Sequence, residues 1–275
     1  MKGSDLIVVG AAAVLAGFVT VQLAASPGRA APARGPGMST ADSAAVAQYY
    51  YTNLRPVDPL VAPPGWLSDV HVARLRAAVA RAQAAPEGAR DEAAVRATLR
   101  AGSAHGYIGD ILANNDSVLA RWPATANPIR VWVQPRASTP GFTPAFVSPV
   151  RASFLTWNDV GIGLGFALVD DSTQADVHVT WSQALPGLGQ IGNTLRITDS
   201  DGWIVATHVV LATSYEISTV QNAALHEVGH VLGLDHSPNR DDLMAAVTNG
   251  RQYRLTPADR NTARLLYSVP AGKVR

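Results

Sequence analysis

One short segment constrains this chain more than any other: residues 226–236 read His-Glu-Val-Gly-His-Val-Leu-Gly-Leu-Asp-His. Its first two histidines, His226 and His230, are four residues apart, so on an α-helix they lie on one face, one turn apart. Two imidazoles in that arrangement can bind one Zn²⁺ ion. Three of the chain's seven histidines fall within this window. The spacing therefore predicts a metal-binding helix rather than a helix with scattered surface histidines.

The other fixed positions of the segment predict a catalytic kind of metal site. Glu227 lies beside the first ligand, where its carboxylate can reach a zinc-bound water. Gly233 can adopt the positive φ that ends a helix and turns the chain sharply, and this turn can bring back His236 as the third ligand. Three protein ligands leave the fourth position of zinc open to water. The segment matches the known catalytic motif H-E-x-x-H-x-x-G-x-x-H.

Residues after the motif extend the pattern. Ser237 directly follows the third histidine, and Met244 follows His236 by eight residues, in the string Asp-Asp-Leu-Met-Ala. Together with the motif, these residues resemble the metzincin clan of zinc peptidases and are most similar to its matrixin family. The resemblance implies that the three histidines bind zinc, that the glutamate is the catalytic base, and that Met244 forms a Met-turn beneath the metal. An ordinary core methionine is the alternative for Met244.

Composition narrows the class of protein further. Of the 275 residues, 47% are apolar, which is enough for a hydrophobic core. The net charge of +1 gives no reason to expect a nucleic acid as partner. The chain has no cysteine, which excludes disulfides, thiolate metal ligands and a cysteine nucleophile. Matrixins typically carry an inhibitory cysteine before the catalytic domain, and that mechanism of latency cannot operate here.

The amino-terminal residues indicate export. After Lys2, an uncharged and mostly apolar stretch runs from Leu6 to Gly28, and Ala- and Pro-rich residues follow it. The pattern predicts that residues 1–28 are a cleaved secretory signal or an uncleaved membrane anchor, with a buried helix as the third alternative. Either of the first two makes the rest of the chain extracytoplasmic, secreted or tethered to a membrane through residues 6–28.

The rest of the chain divides into three predicted parts. Residues 29–66 are rich in Pro, Gly and Ala and are predicted to form a linker. Residues 67–122 are predicted to form helices, as a pro-segment or an accessory module, and the last of these helices runs from Tyr107 to Trp122. Residues 123–275 are predicted to form the zinc peptidase domain.

The pattern after residue 123 alternates between strand and helix. Strands are predicted at 128–134, 163–169, 175–181, 194–198 and 203–212, the last two as a hairpin. One helix carries Phe146 to Trp157, the motif helix starts at a capping box of Ser218 and Gln221, and Thr256 caps a final helix. This order resembles the matrixin catalytic domain over about residues 128–268. It implies an α+β, metzincin-like zincin fold: a mixed twisted sheet, an active-site helix, a Met-turn and a C-terminal helix, preceded by an N-terminal helical segment.

Other polar residues are weaker candidates for ligand binding. Many matrixins bind a second, structural zinc through three histidines and an aspartate. His178 and His208 lie on predicted strands without a nearby ligand cluster, which favours a solvated or hydrogen-bonded strand histidine. Two acidic pairs could bind Ca²⁺, although plain turns are favoured for both: Asp199 with Asp201, and Asp170 with Asp171.

The resemblance implies an exported zinc endopeptidase that hydrolyses peptide bonds of protein or peptide substrates by Glu227-assisted attack of a zinc-bound water. The alternatives are a catalytically weak zinc-containing binding protein on the same fold, and a zinc hydrolase of non-peptide amides. In the family, substrate lies along an exposed edge strand, which the order of elements places at about Gly192 to Thr198. A hairpin with no bound ligand is the alternative for this segment. Relatives often have larger residues at the positions of Ala245 and Ala246, where they shape a specificity pocket, so the sequence does not indicate a cleavage preference. It does not indicate an oligomeric state either.

Overall fold

The computed structural model describes six stretches of the chain: residues 7–8, 91–115, 117–185, 189–198, 202–248 and 254–274. The predicted linker and the predicted helices before residue 91 lie outside these stretches, and of the predicted leader only Ile7 and Val8 are described. The described strands are β1 (Ile7–Val8), β2 (Val118–Leu119), β3 (Ile129–Val133), β4 (Phe166–Leu168), β5 (Val177–Ser182), β6 (Gly192–Thr198), β7 (Ile204–Ala212), β8 (Val247–Thr248) and β9 (Gly272–Lys273). The described α-helices are α1 (Glu92–Gly102), α2 (Ile108–Asn114), α3 (Val147–Trp157), α4 (Ile217–Val231) and α5 (Pro257–Tyr267).

Five of the strands form one mixed sheet in the order β4-β3-β5-β7-β6. The first four run parallel to one another, and β6 pairs antiparallel with β7 in the hairpin that the sequence predicts. Strand β6 lies at the edge of the sheet, as predicted for this segment. The short strands pair separately, β1 with β8 and β2 with β9. The mixed sheet and its helices confirm the predicted α+β fold.

Apolar residues at every second position build the centre of the sheet. Along β3, Ile129, Val131 and Val133 are all fully buried, as the period of two in a strand requires for one shared face. Helix α3 packs against β3 and β4, where Phe154 makes an edge-on contact with Phe166 at 5.2 Å between ring centroids. The strand, helix and strand predicted from these residues are confirmed.

Helix α4 packs against α3, against the edge strand β6 and against its neighbour β7. Its apolar residues Val220, Val228 and Val231 are fully buried. Where the two helices meet, the Trp157 indole Nε1 donates a hydrogen bond to the Leu225 carbonyl at 2.9 Å. The helix that carries the motif is therefore fixed on two sides by the interior of the fold.

The two helix starts predicted from capping residues have opposite outcomes. Helix α5 has the predicted cap, because the Thr256 hydroxyl accepts from the Asp259 amide and the Asp259 carboxylate accepts from the Thr256 amide. The predicted cap at Ser218 is wrong. Helix α4 begins one residue earlier, at Ile217, and its extended N-cap residue Glu216 makes no side-chain cap. Ser218 thus lies inside the first turn, where its backbone is already helical.

The upstream helices α1 and α2 share the hydrophobic core of the sheet. Their buried residues, Val95, Leu99, Ile108 and Ile111, belong to one cluster with the residues of β3 and α4. The single helix predicted from Tyr107 to Trp122 is wrong, because α2 ends at Asn114 and the backbone becomes left-handed at Ser117 (φ +63°) before β2 begins. No helix within the described stretches has both the length and the apolarity needed to cross a membrane.

Candidate metal centre

Helix α4 and the turn after it bring three histidines together. His226 and His230 lie one turn apart on α4 and are almost fully buried, at 1% and 2% exposure. The ring of His236 returns to within 5.4 Å and 5.0 Å of theirs, measured between centroids. One nitrogen of each ring lies within 4.8 Å of the other two. The convergence agrees with the arrangement that the sequence predicts for three metal ligands.

The return of His236 depends on Gly233. This residue has φ +99°, a left-handed conformation that glycine adopts without strain. A Cβ atom at this position would also clash with the carbonyl oxygen of Ala120, the residue that follows β2. The Tyr267 hydroxyl and the Trp122 indole donate hydrogen bonds to carbonyls of the last helical residues, Leu232 and Val231. Glycine is therefore required here both for its backbone angle and for its lack of a side chain.

Hydrogen bonds fix the protonation of two of the rings. His226 Nδ1 donates to the Leu243 carbonyl and His230 Nδ1 donates to the Leu234 carbonyl, each at 2.7 Å. A carbonyl oxygen can only accept, so the proton of each neutral ring is on Nδ1 and the lone pair is on Nε2. Burial lowers the pKa of His226 to about 3 and lowers the pKa of His230 and His236 as well. The rings are therefore neutral at physiological pH.

The arrangement of the three Nε2 atoms is better explained by a shared metal ion than by hydrogen bonds among the rings. Those of His226 and His230 are 2.9 Å apart, although both carry lone pairs and neither can donate to the other. The Nε2 atom of His236 is buried without a hydrogen-bond partner among the described residues. Three converging lone pairs in a buried space leave polar atoms unsatisfied, which a cation between them would correct. Neutral imidazoles with Nδ1 bound to carbonyls are the usual ligand set for zinc.

Glu227 belongs to helix α4, and its side chain contacts the edge strand β6. Its side chain is fully buried, and burial raises the pKa of its carboxyl to about 8, against the opposing effect of a hydrogen bond from Thr194. The Thr194 hydroxyl donates to Oε2 at 2.5 Å, whereas Oε1 has no hydrogen-bond partner among the described residues. A Cβ atom at Gly192 would lie only 2.6 Å from Cγ of Glu227. Strand β6 thus both makes room for the carboxylate and holds one of its oxygens.

Met244 lies directly behind the histidine helix. It is fully buried, and a Cβ atom at Gly229 of α4 would come within 2.9 Å of its methyl carbon. The Asp259 carboxylate accepts from the amides of Leu243 and Met244 at 3.1 Å and 3.3 Å, which fixes the turn. The Met244 carbonyl accepts from the amide of Ser237 at 2.8 Å. The position agrees with the predicted Met-turn.

A buried ion pair beside the third histidine was not apparent from the sequence. Arg196 of β6 is paired with Asp235 at 2.7 Å, and Asn115, after α2, also donates to Asp235. Asp235 occupies a variable position of the metal-binding motif, and Arg196, Asn115 and Thr194 stand in no recognisable motif. Only the period of two along a predicted edge strand hints that positions 192, 194 and 196 share one face.

The weaker candidates make ordinary hydrogen bonds and ion pairs. His178 Nε2 donates to the Ser172 carbonyl at 2.9 Å, and His208 Nε2 is 2.9 Å from the Thr180 hydroxyl. The register of β5 and β7 places the two histidines opposite each other, and both are hydrogen-bonded strand histidines, as favoured from the sequence. Asp170 pairs with Arg151, and Asp171 caps a short 3₁₀ helix. Asp199 and Asp201 lie outside the described residues.

Comparison with known proteins connects this geometry to a family. Residues 143–268 match the model of the matrixin family, peptidase family M10, and the match includes the three histidines, the glutamate and Met244. A 56-residue segment is 34% identical to Matrix metalloproteinase-A of Caenorhabditis elegans, and it covers 20% of this chain. The chain spans only 11% of the length of that relative. Residues 143–268, somewhat less than half of the chain, are therefore similar to the matrixin family, and the resemblance inferred from the sequence is confirmed.

Proposed function

We propose that this protein is a zinc-dependent endopeptidase that hydrolyses peptide bonds. The proposal is supported above all by the cluster of three neutral histidines, two of them buried and His236 half-buried, whose ring nitrogens converge beside the carboxyl group of Glu227. The matrixin domain supports the same reaction class. When bound, a zinc ion supplies Lewis acidity, which lowers the pKa of a coordinated water and polarises the scissile carbonyl.

In this proposal the residues of α4 and its turn divide the chemistry between them. His226, His230 and His236 hold the ion, and Met244 supports their helix from behind. The positive charge of a zinc ion bound nearby would keep the buried carboxyl of Glu227 ionised, so that Glu227 would accept the proton of the attacking water and then deliver it to the leaving amine. Thr194 anchors Oε2 of that carboxylate, which leaves Oε1 as the proton acceptor.

The edge strand β6 supports a peptide as the substrate. It has β7 as its neighbour on one side and forms the edge of the sheet on the other, and an extended peptide can add to such an edge through main-chain hydrogen bonds. Gly192 and Thr194 contact Glu227 from this same strand. A peptide paired with β6 would therefore lie next to the proposed base.

We also propose the domain limits and the location from the sequence pattern. Residues 1–28 would be a signal or anchor, residues 29–66 a linker, residues 67–122 a helical pro-segment or accessory segment, and residues 123–275 the peptidase domain. Such a leader would make the peptidase extracytoplasmic, secreted or tethered to a membrane. Amino-terminal sequencing of the mature protein tests both, since cleavage near residue 28 is expected for a signal and an intact leader for an anchor.

Cleavage of a peptide mixture by the full chain tests the reaction. We expect cleavage that is lost with a zinc chelator and restored by added Zn²⁺. Glu227→Gln should retain zinc but reduce cleavage by about 100- to 10,000-fold, because the proton acceptor is lost. Zinc binding without cleavage by the wild type would favour the alternative of a zinc-containing binding protein. Full cleavage by Glu227→Gln would contradict the proposed mechanism.

A further inference from the structure

We propose that Arg196 is a positioning residue for the metal ligands, which it holds through the turn that joins His230 to His236. This inference rests on the proposed function, in that the bound metal is zinc. It adds a role for a side chain of the edge strand that belongs neither to the metal-binding motif nor to helix α4.

The contacts of Arg196 converge on the supports of two ligands. Its Nη2 atom is 2.7 Å from Oδ1 of Asp235, the residue immediately before His236. Its Nη1 atom donates to the Leu234 carbonyl at 3.3 Å. That same carbonyl accepts from Nδ1 of His230 at 2.7 Å and so fixes the orientation of the ring. One guanidinium therefore contacts both the acceptor that orients the second ligand and the residue that precedes the third.

Burial makes these contacts specific. The side chains of Arg196 and Asp235 are only 4% and 8% exposed, so each charge has lost its water and depends on its partner. The planar guanidinium satisfies a carboxylate and a carbonyl at once, which the single ammonium of a lysine does not reproduce. Asn115 donates to the other carboxylate oxygen of Asp235. The turn is thus held from the edge strand on one side and from the segment after α2 on the other.

Positioning and simple charge effects predict opposite results. A positive charge near the histidines repels a dication, so an effect of charge alone would make the neutral variant Arg196→Met bind zinc more tightly. If Arg196 instead positions the turn, then both Arg196→Met and the charge-conserving Arg196→Lys should bind zinc more weakly. We expect a loss of about 10- to 100-fold in affinity, the usual effect of removing a residue that supports a metal ligand.

The chain contains a matched control pair. Arg130 and Asp176 form an ion pair through Nε and Oδ2 at 3.0 Å, with a second bond from Nη2 to Oδ1 at 3.1 Å. The hydrogen bonds and ion pairs described for Arg130 do not involve the three histidines or their supports, so Arg130→Met removes an arginine–carboxylate pair away from the site, although this pair is more exposed, at 38% and 14%. Asn115→Ala is the milder variant on the Asp235 side, since Asn115 is half-buried and its loss leaves the Arg196 pair in place.

The experiment measures the zinc affinity of the full chain by competition with a chromophoric chelator, and the visible spectrum of the Co²⁺-loaded protein, after circular dichroism has shown that each variant folds. We expect weaker zinc binding and an altered Co²⁺ spectrum in both Arg196 variants, a smaller loss in Asn115→Ala, and wild-type values in Arg130→Met. If the Arg196 variants do not fold, Asp235→Asn decides the matter, because it keeps the shape of the side chain but removes the charge that pairs with Arg196, and unchanged binding would then overturn the inference.

Two results separate failure of this inference from failure of the proposed function. Wild-type affinity in the Arg196 variants, or tighter binding by Arg196→Met, overturns the positioning role while zinc binding by the wild type stands. No zinc binding by the wild-type chain overturns the proposed function, and the positioning role with it.

Discussion

Two groups of neighbouring histidines in this fold differ in which ring nitrogen is used. In the candidate metal centre, Nδ1 of His226 and of His230 is bonded to a carbonyl, and the Nε2 atoms of these two rings face each other. On the adjacent strands β5 and β7, the Nε2 atoms of His178 and His208 are themselves engaged, with a carbonyl and with a hydroxyl. In the first group the Nδ1 bonds to carbonyls leave the Nε2 atoms of His226 and His230 available to a metal ion, whereas in the second group the Nε2 atoms are already hydrogen-bonded.

The sharpest test of this comparison removes one histidine from each group. His226→Ala should weaken zinc binding by more than about 100-fold, since loss of a ligand exceeds the usual effect of losing its support. His178→Ala should leave the zinc affinity unchanged, because the Nε2 atom of His178 is bonded to the Ser172 carbonyl. Isothermal titration of the metal-free full chain with Zn²⁺ measures both. Equal losses in the two variants would show that the hydrogen-bond pattern does not select the ligands.

The second test uses pH and addresses the strand group. Burial lowers the pKa of His208 to about 4, from an ordinary value of 6.5. Between these two values the unfolded chain binds a proton at His208 and the folded chain does not, so this residue lowers the free energy of unfolding as pH falls. Between pH 7 and pH 4.5 the loss amounts to about 2 kcal/mol.

We therefore expect His208→Gln to lose about 2 kcal/mol less stability than the wild type over that pH range. Urea unfolding at a series of pH values measures the difference, and His105→Gln on an exposed 3₁₀ helix is the control. Parallel pH profiles for the wild type and His208→Gln would mean that His208 titrates alike in the folded and unfolded chains.

The smallest expected effect concerns two threonines, one hydrogen-bonded to the glutamate beside the first group of histidines and one to a histidine of the second group. Thr194 donates to Glu227, whereas Thr180 is bonded to His208. Thr194→Val keeps the shape of the side chain but leaves Oε2 without its donor, and we expect cleavage to slow by about 10-fold in kcat with unchanged zinc affinity. Thr194→Ser should restore the rate, and Thr180→Val should not alter it. Steady-state kinetics on one cleaved peptide check this. A wild-type kcat in Thr194→Val would show that the hydrogen bond from Thr194 does not contribute to catalysis.

The parts of the site that the sequence predicts are those that lie close together along the chain. The spacing of His226 and His230, the turn at Gly233 and the cap at Thr256 are each set within a few residues, and local geometry is enough to anticipate them. The order of strands and helices likewise follows from periodicity. The same local rules failed at Ser218, because the start of a packed helix depends on what it packs against.

The supports of the site could not be predicted in this way. Thr194 meets Glu227 across 33 residues of sequence, Arg196 meets Asp235 across 39, and Asn115 meets Asp235 across 120. Such contacts depend on how the edge strand lies against helix α4, and a single sequence does not specify that. The upstream helices show the same limit, because their apolar residues predict helices but not the surface that buries them.

The fit between Gly233 and the Ala120 carbonyl has a practical consequence for anyone who shortens this chain. The turn before the third histidine packs closely against Ala120, more than a hundred residues earlier in the chain. Ala120 lies before the predicted domain boundary at residue 123. A recombinant fragment that begins at that boundary would expose one side of the turn to water and lose the hydrogen bonds from Asn115 and Trp122. The shortest useful version of this protein should therefore begin no later than residue 91, where the first described helix is capped.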